Sequence, residues 1–194
     1  MKQSLINKFR QNTGFFKEIP KQEFIRLIRL TRKVEIEKDE YFLKAGDVAK
    51  QIAYVRSGIV RLFYLDRLGK DVTKHFSTEH TLAISYNSFI QRIPSRLSIQ
   101  ALENTVLYTI DYKTYYELLE THPFWQISAR KLAEMIFLLK EKKEAELLLD
   151  DAQTRYMQFL NDYPNLINRV KQYYISSYLG IAPESLSRIR ANIK

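Results

Sequence analysis

The stretch FLKAGDVAKQIAYVRSGIVRLFYLDRLGKD, residues 42–71, indicates the fold more clearly than any other segment. Its runs IAYVRSG and IVRLFYL are short and rich in β-branched and aromatic residues, the composition that favours strands. Gly46, Gly58 and Gly69 separate the runs. LDRLGKD is typical of a hairpin loop whose glycine takes a positive φ. The segment therefore predicts successive short strands joined by tight turns.

Similar runs continue on both sides of this stretch. Between Val34 and Ile110 there are eight in all, the others being VEIE, YFLKA, DVTKHF, TLAIS, RLSIQAL and TVLYTI. This number of short strands predicts an all-β sandwich, roll or barrel. Two amphipathic stretches precede them and are predicted to be helices, one with Leu5, Ile6 and Phe9 and one from about residue 21 to residue 30.

After the strands the periodicity becomes helical. YKTYYELLETHP predicts a short helix that ends before Pro123, and this proline opens a longer pattern that can run to Leu160. Its broad apolar face predicts a homodimer seam, and the alternative is packing on its own β domain alone; the face comprises Ile127, Leu132, Met135, Ile136, Leu138 and Leu139. The expected domains are 1–122, a central dimerisation helix at 123–149, and 150–194.

The composition limits the function classes. The 194 residues include 31 Lys and Arg against 22 Asp and Glu, a net charge of +9 that suits a polyanionic partner such as nucleic acid or an acidic membrane surface. The chain has no cysteine, which excludes disulfides, thiolate zinc sites, cysteine-held iron–sulfur clusters and cysteine nucleophiles. Neither a signal peptide nor a long apolar segment is apparent, so we expect a cytoplasmic protein with no membrane partner.

The segment YLGIAPESLSRIR, residues 178–190, is the strongest functional signal. Apolar residues recur where two short helices would close on one another, Gly180 would supply the turn, and Pro183 suits the first turn of the second helix; the apolar residues are Ile175, Leu179, Ile181, Leu186 and Ile189. This pattern predicts a helix-turn-helix over about residues 172–190.

The second helix of such a motif presents its first residues to DNA base edges. Glu184 can accept from cytosine, Arg188 can pair with guanine, and Ser185 or Ser187 can reach phosphate or base. Arg190 is also on this surface. The alternative is structural, with Glu184 favouring the helix dipole and forming an ion pair with Arg188. From residue 164 to residue 194, five basic residues face one acidic residue, which favours DNA reading.

The order of these parts resembles the Crp/Fnr family of bacterial transcription regulators over nearly the whole chain. GIAPESLSRI is similar to the family's recognition helix, and residues 42–71 resemble the first half of its cyclic-nucleotide-binding fold. The resemblance implies an α+β chain with a jelly-roll-like double-stranded β-helix, a long central helix and a small helix-turn-helix domain. It also implies a homodimer on palindromic double-stranded DNA, RNA polymerase as a partner, and a small-molecule effector.

Several features depart from the family pattern. The Gly-Glu and Arg-Ser pairs that grip a cyclic nucleotide are missing, and only Ser95–Arg96 stands in a similar place. We therefore expect no cyclic AMP binding, with Arg96 as the one candidate effector residue. A pocket is expected between the second half of the roll and the central helix, lined by Phe76, Ile84, Tyr86, Arg96, Ile99 and residues 132–139. No wing is expected after the second helix, and Ala182 is a weak N-cap.

Two other function classes compete with this interpretation. A cupin-like metal-dependent enzyme would use histidines, yet His75, His80 and His122 lack the spacing of such a site. A protein-binding module is the second rival, with a helix-turn-helix that no longer reads DNA. We predict neither catalysis nor a metal or cofactor.

Overall fold

The computed structural model describes residues 19–193. The strands are β1 Arg32–Ile36, β2 Tyr41–Leu43, β3 Gln51–Ser57, β4 Val60–Leu65, β5 Asp71–Ser77, β6 Leu82–Ala83, β7 Leu97–Ala101 and β8 Thr105–Asp111. The helices are α1 Lys21–Leu30, α2 Tyr86–Gln91, α3 Tyr112–Thr121, α4 Pro123–Leu149, α5 Ala152–Asp162, α6 Gln172–Leu179 and α7 Pro183–Asn192, with a 3₁₀ turn at Leu166–Asn168. All eight predicted strands are confirmed, each falling on one of the runs read from the sequence.

The strands form a roll of two antiparallel four-stranded sheets. The first has the order β1-β8-β3-β6 and the second β2-β7-β4-β5. Apolar side chains of both sheets meet between them, including Val55, Leu62, Ile99 and Leu107. The burial of this shared layer stabilises the roll, because apolar surface leaves water. The α+β class and the roll are thus as predicted.

Helix α2 is an element that the sequence pattern did not predict. Its six residues, YNSFIQ, are too few to show a helical period. The helix ends at Arg92, a non-glycine residue with a φ of 58°. The Arg92 guanidinium donates to the Ala49 carbonyl oxygen at 2.8 Å and lies over the Tyr112 ring. These tertiary contacts stabilise a left-handed conformation that usually indicates glycine.

Helix α1 is confirmed with the predicted bounds, whereas the earlier stretch with Leu5, Ile6 and Phe9 lies outside the described residues. Phe24 and Leu27 of α1 pack with Trp125 in a core on the outer side of the first sheet. The Trp125 indole donates to Glu23 at 2.6 Å. This bond ties α1 to the beginning of α4.

Helix α4 runs from Pro123 to Leu149, the range expected for the central helix, and the helical pattern that can run to Leu160 is divided into two helices. Asp150 and Asp151 are extended, and the Asp151 carboxylate accepts a hydrogen bond from the Thr154 amide at 2.7 Å. A carboxylate is a strong N-cap, so a new helix is favoured here over continuation. The apolar period alone does not reveal this break.

Part of the broad apolar face of α4 is buried against the roll, and part of it is exposed to solvent. Leu132 is buried against the roll, whereas Leu138 is 61% exposed. Ile127 and Met135 are also exposed. Because α4 has 3.6 residues per turn, Ile127, Leu138 and Ala145 share one outward side. None of the helices within residues 19–193 is both long and apolar enough to span a membrane.

The segment from Ala152 to Ile193, here called the C-terminal unit, packs on the outer face of the β4–β5 hairpin. Its aromatic residues Phe159 and Tyr178 contact Phe76 of β5, with ring centroids 6.3 and 5.6 Å away. Lys142 of α4 is ion-paired with Asp162 at 2.7 Å, and the ammonium group of Lys143 lies 3.7 Å from the Tyr178 ring centre. These two lysines therefore face the C-terminal unit.

Candidate functional site

Helices α6 and α7 are joined by a tight turn at Gly180. Its φ of 69° is left-handed, and the Ile181 amide donates to the Ser176 carbonyl oxygen at 3.0 Å. Leu179 and Leu186, on either side of the turn, are fully buried. A Cβ on Gly180 would lie 3.3 Å from Leu147 of α4. Glycine therefore meets both the backbone requirement and the close approach of α4.

Helix α7 begins without a side-chain cap. Ala182 is extended and makes no capping bond, as its sequence predicts, and Pro183 occupies the first turn. Pro183 has no amide proton, so one of the free donors at this helix end is absent. The amides of Ser185 and Leu186 both bond the Ala182 carbonyl oxygen, at 3.1 and 3.2 Å.

The predicted reading residues share one accessible surface of α7. Glu184, Ser187 and Arg188 are exposed, and Ser185 and Arg190 are partly buried. The guanidinium of Arg188 lies 3.3 Å from the Ser185 hydroxyl. Within residues 19–193, no ion pair joins Glu184 to Arg188, whereas Glu184 does lie in the first turn of α7, where its charge favours the helix dipole. The surface presents donors and acceptors to solvent.

Arg169 has a different role from the one its charge suggested. Its position in the basic C-terminal segment predicts a contact with DNA, but its guanidinium bonds the carboxylates of Glu79 and Glu103. The Gly58 amide also donates to Glu79, at 3.2 Å. The hydrogen bond from Arg169 is the main cause that lowers the pKa of Glu79. Arg169 thus connects the C-terminal unit to the roll.

Arg96 lies at a polar cavity of about 440 Å³ on the roll. Tyr64 and Lys74, from β4 and β5, line the same cavity. The cavity size is within the range of small-molecule sites. Two cationic side chains at one opening would attract an anion, most strongly at low salt.

The serine hydroxyls in this cavity already have partners. Ser85 and Ser95 bond each other at 2.8 Å, and Ser95 also donates to the Leu97 carbonyl oxygen at 2.7 Å. Ser88 donates to the Ile93 carbonyl oxygen and accepts from the Ala49 amide. These bonds hold the loops around α2 in place. Lys74 and Arg96 are therefore the groups best suited to contact a ligand.

The residues predicted to line one effector pocket do not share a cavity. Phe76 packs against the C-terminal unit, Ile99 is inside the roll, and Arg96 lies at the polar cavity. Leu132 instead lines a separate apolar cavity of about 90 Å³ between α1, the first sheet and α4. A cavity therefore does lie between the roll and the central helix, but the expected lining is wrong, because Phe76 and Ile99 are packed elsewhere and Arg96 lies at the other cavity.

The three histidines lie in three separate surroundings. His75 shares a hydrogen bond of 3.1 Å with the Tyr163 hydroxyl, and His80 shares one of 2.7 Å with Tyr54. His122 caps α4 by accepting from the Phe124 amide at 3.0 Å. In the described part of the chain, no group of three His, Asp or Glu residues is placed to hold a metal ion.

The lowered pKa of His75 leads us to expect that the protein loses stability in acid. Burial, with Lys74 and Lys143 nearby, lowers the pKa of His75 to about 4. In the unfolded chain His75 is protonated below its ordinary pKa of about 6.5, whereas in the folded chain it stays neutral down to about pH 4. The free energy of unfolding therefore falls as the pH is lowered from about 6.5 to about 4. Because His75 is only partly buried as a residue, the full pKa shift is discounted and we expect a loss of about 1–3 kcal/mol.

The measurement is urea unfolding at about pH 7, above the window set by His75, and at about pH 4.5, near the lower end of that window. His75→Gln is the matched variant, because it keeps a polar partner for Tyr163 and does not titrate. The variant should lose less stability than the wild type over this range. Equal losses would show that the acid sensitivity originates in other groups, such as the carboxylates of Asp71 and Glu79.

Comparison with a family model gives the class of the roll. Residues 33–122, a little under half of the chain, match the cyclic nucleotide-binding domain. The roll with its two sheets and flanking helices is a domain of this type. Comparison with curated proteins gives no match.

Solved structures resemble the chain beyond the roll. The c-di-GMP-responsive global regulator CLP of Xanthomonas campestris is 15% identical with a TM-score of 0.72, over 90% of this chain and 91% of that one. FixK2 from Bradyrhizobium japonicum is 21% identical with a TM-score of 0.71, over 84% of each chain. The catabolite activator protein of Thermus thermophilus is 18% identical with a TM-score of 0.55, over 93% and 86%. At these identities the likeness concerns the fold.

Proposed function

We propose that this protein is a homodimeric transcription regulator of the Crp/Fnr type that reads a palindromic DNA site. The observation that carries the proposal is the exposed Glu184, Ser187 and Arg188 surface of α7, held by buried Leu186 against α6. Donors and acceptors on the first turns of such a helix match the base edges of the major groove. The net charge of +9 favours binding to the phosphate backbone.

The homodimer is supported by the outward side of α4. Ile127 and Leu138 are exposed and lie on one side, with Leu148, which is 76% exposed, flanking it. Large apolar side chains repeated along a helix are stabilised by a partner surface. A second copy of α4, related by a two-fold axis, would cover this side and would place the two copies of α7 on opposite half-sites.

The effector would be a small anion that binds the polar cavity at Lys74 and Arg96. Tyr64 and Lys74 belong to β4 and β5, the hairpin on which the C-terminal unit packs. An occupant of the cavity would therefore contact the same element that supports α6. Cyclic AMP is not expected to be this anion, since the Gly-Glu and Arg-Ser pairs are missing from the chain.

Arg188→Ala tests base reading directly. Duplexes that the wild type selects from a random pool should bind the variant about 1–3 kcal/mol more weakly, with relaxed preference at one base pair, because a bidentate contact is lost. Arg67→Ala, an exposed arginine in the β4–β5 turn, is the control for loss of one charge. Fluorescence anisotropy at several salt concentrations gives both the affinity and the salt slope.

Two outcomes of this experiment, and one of a separate metal analysis, contradict the proposal or part of it. A wild type without salt-dependent DNA affinity would exclude the regulator and favour the protein-binding module. Equal weakening on selected and random duplexes would limit Arg188 to phosphate contact. Stoichiometric iron, zinc or manganese in the purified protein would favour the metal-dependent enzyme.

A further inference from the structure

We propose that Arg61 of β4 is a positioning residue for DNA recognition. It fixes α6, and through α6 the reading helix α7, on the outer face of the β4–β5 hairpin of the same chain. This proposal rests on the proposed function and adds the element that sets the orientation of α7.

Arg61 is a buried cation shared by the two parts of the chain. It is 2% exposed, and its guanidinium lies 2.6 Å from the Asp71 carboxylate. It is stacked between the rings of Phe63, at 4.0 Å, and Tyr174, at 3.9 Å. Phe63 belongs to the roll and Tyr174 to α6. A buried charge is costly without partners. The position of α6 in which Tyr174 covers the Arg61 guanidinium is therefore favoured over a position in which the guanidinium loses this contact.

Helix α6 completes the cluster with hydroxyl groups. The Tyr173 hydroxyl donates to the Asp71 carboxylate at 2.6 Å. The Ser177 hydroxyl donates to the Asp71 carbonyl oxygen at 3.2 Å and accepts from the Thr73 amide at 2.9 Å. Burial works to raise the pKa of Asp71, but the bonds from Tyr173 and Arg61 outweigh it and lower the pKa. The carboxylate is therefore charged at neutral pH, as the Arg61 ion pair needs.

These contacts also cover a sheet edge. Strand β5 is the last strand of the order β2-β7-β4-β5, so one side of it lacks a neighbouring strand. Ser177 bonds two backbone groups there, at Asp71 and Thr73. An edge strand leaves backbone groups unpaired unless another element covers it. The docked α6 thus has backbone, side-chain and aromatic attachments to one hairpin.

The orientation of α7 follows from that of α6. Ile175 and Leu179 of α6 are packed in one cluster with Leu186 of α7, and Glu184 and Arg188 stay exposed in this arrangement. In a dimer, fixed α7 orientations give one preferred separation of half-sites, about 34 Å. A loosened α6 would let each α7 adjust, so the protein would tolerate changed spacing and bind the correct spacing more weakly.

The test compares Arg61→Met, Arg61→Lys and a matched control, Arg67→Met, at an exposed position of the same hairpin. Hydrogen exchange of amides in β5 and α6 should accelerate about tenfold in Arg61→Met, because a hydrogen-bonded charge pair is lost. The second readout is the preference for half-site spacing. It is measured as the ratio of two affinities, one for the selected duplex and one for a duplex whose half-sites are about two base pairs farther apart. We expect this ratio to fall about tenfold in Arg61→Met, less in Arg61→Lys, and not in Arg67→Met.

The outcomes separate this proposal from the proposed function. Faster exchange with an unchanged spacing ratio would make Arg61 only structural, and unchanged exchange would show that the cluster does not hold α6. If the wild type does not bind DNA, the proposed function fails, whereas the exchange result still decides whether Arg61 docks α6. Should Arg61→Met not fold, the double variant Tyr173→Phe, Ser177→Ala removes the hydroxyl contacts of α6 with Asp71 and Thr73 and leaves the Arg61–Asp71 ion pair intact, and its exchange and spacing ratio are then the test.

Discussion

Replacing Leu138 with glutamate is expected to convert the proposed dimer into a monomer of 23.1 kDa. Leu138 is 61% exposed midway along the outward side of α4. Across a two-fold axis the substitution would place two carboxylates close together in a surface that excludes water. Because a dimer engages both half-sites and a monomer one, affinity for the selected palindrome should fall at least about 100-fold.

Leu68→Glu is the control for Leu138→Glu. Leu68 is 93% exposed at the turn of the β4–β5 hairpin, so its replacement adds the same charge away from α4. Light scattering or sedimentation gives the mass, and anisotropy gives the affinity. If Leu138→Glu remains dimeric while it folds normally, the dimer seam is not on this side of α4. If both variants become monomeric, the hairpin contributes to the seam.

Gly58→Ala is expected to destabilise the fold by about 3 kcal/mol or more. Gly58 has a φ of 95°, and a Cβ there would lie 2.8 Å from the Thr105 Cα and 2.9 Å from the Asn104 carbonyl oxygen. These are backbone atoms of the first residue of β8 and of the turn before it, so they cannot move aside as a side chain can. The cost combines a left-handed alanine with overpacking in a buried turn.

Gly46→Ala separates the two causes. Gly46 has nearly the same φ, 97°, but a Cβ there would meet nothing within 4 Å. We expect only the backbone cost, about 1–2 kcal/mol, and the difference between the variants measures the steric part. Urea unfolding of both variants at neutral pH gives the values. Equal losses would mean that the turn before β8 shifts to admit a methyl group.

The strands were predictable because each carries a local signal. Alternation, β-branched residues and turn glycines act over a few residues, and the fold of Val34 to Ile110 follows from such runs. The turn at Gly180 was predictable for the same reason. Helix α2 was not, since Arg92 adopts a positive φ only because Ala49 and Tyr112 lie beside it.

In the candidate site, the exposure of the proposed reading residues on one helix could be predicted from the sequence. Glu184 and Arg188 belong to a compact motif whose spacing is visible in one short segment. The contacts that hold this motif on the roll are different, because Arg61, Asp71 and Tyr174 are far apart along the chain. The role of Arg169 could not be predicted for the same reason, since its partners Glu79 and Glu103 belong to the roll and are distant in the sequence. No local periodicity encodes such pairs.

One irregularity in the hairpin sets which side chains meet the C-terminal unit. Phe63 is opposite Thr73, yet Arg61 is opposite Phe76, so β5 has one residue more than β4 between these pairs. Residues directly opposite share a face, and the extra residue therefore brings Phe76 to the same side as Thr73. If the same sequence paired without this bulge, the three-residue step from Thr73 to Phe76 would turn Phe76 to the interior of the roll. The bulge therefore lets one face of the hairpin carry two attachments of the C-terminal unit at once, a polar one at Asp71 and Thr73 and an aromatic one at Phe76.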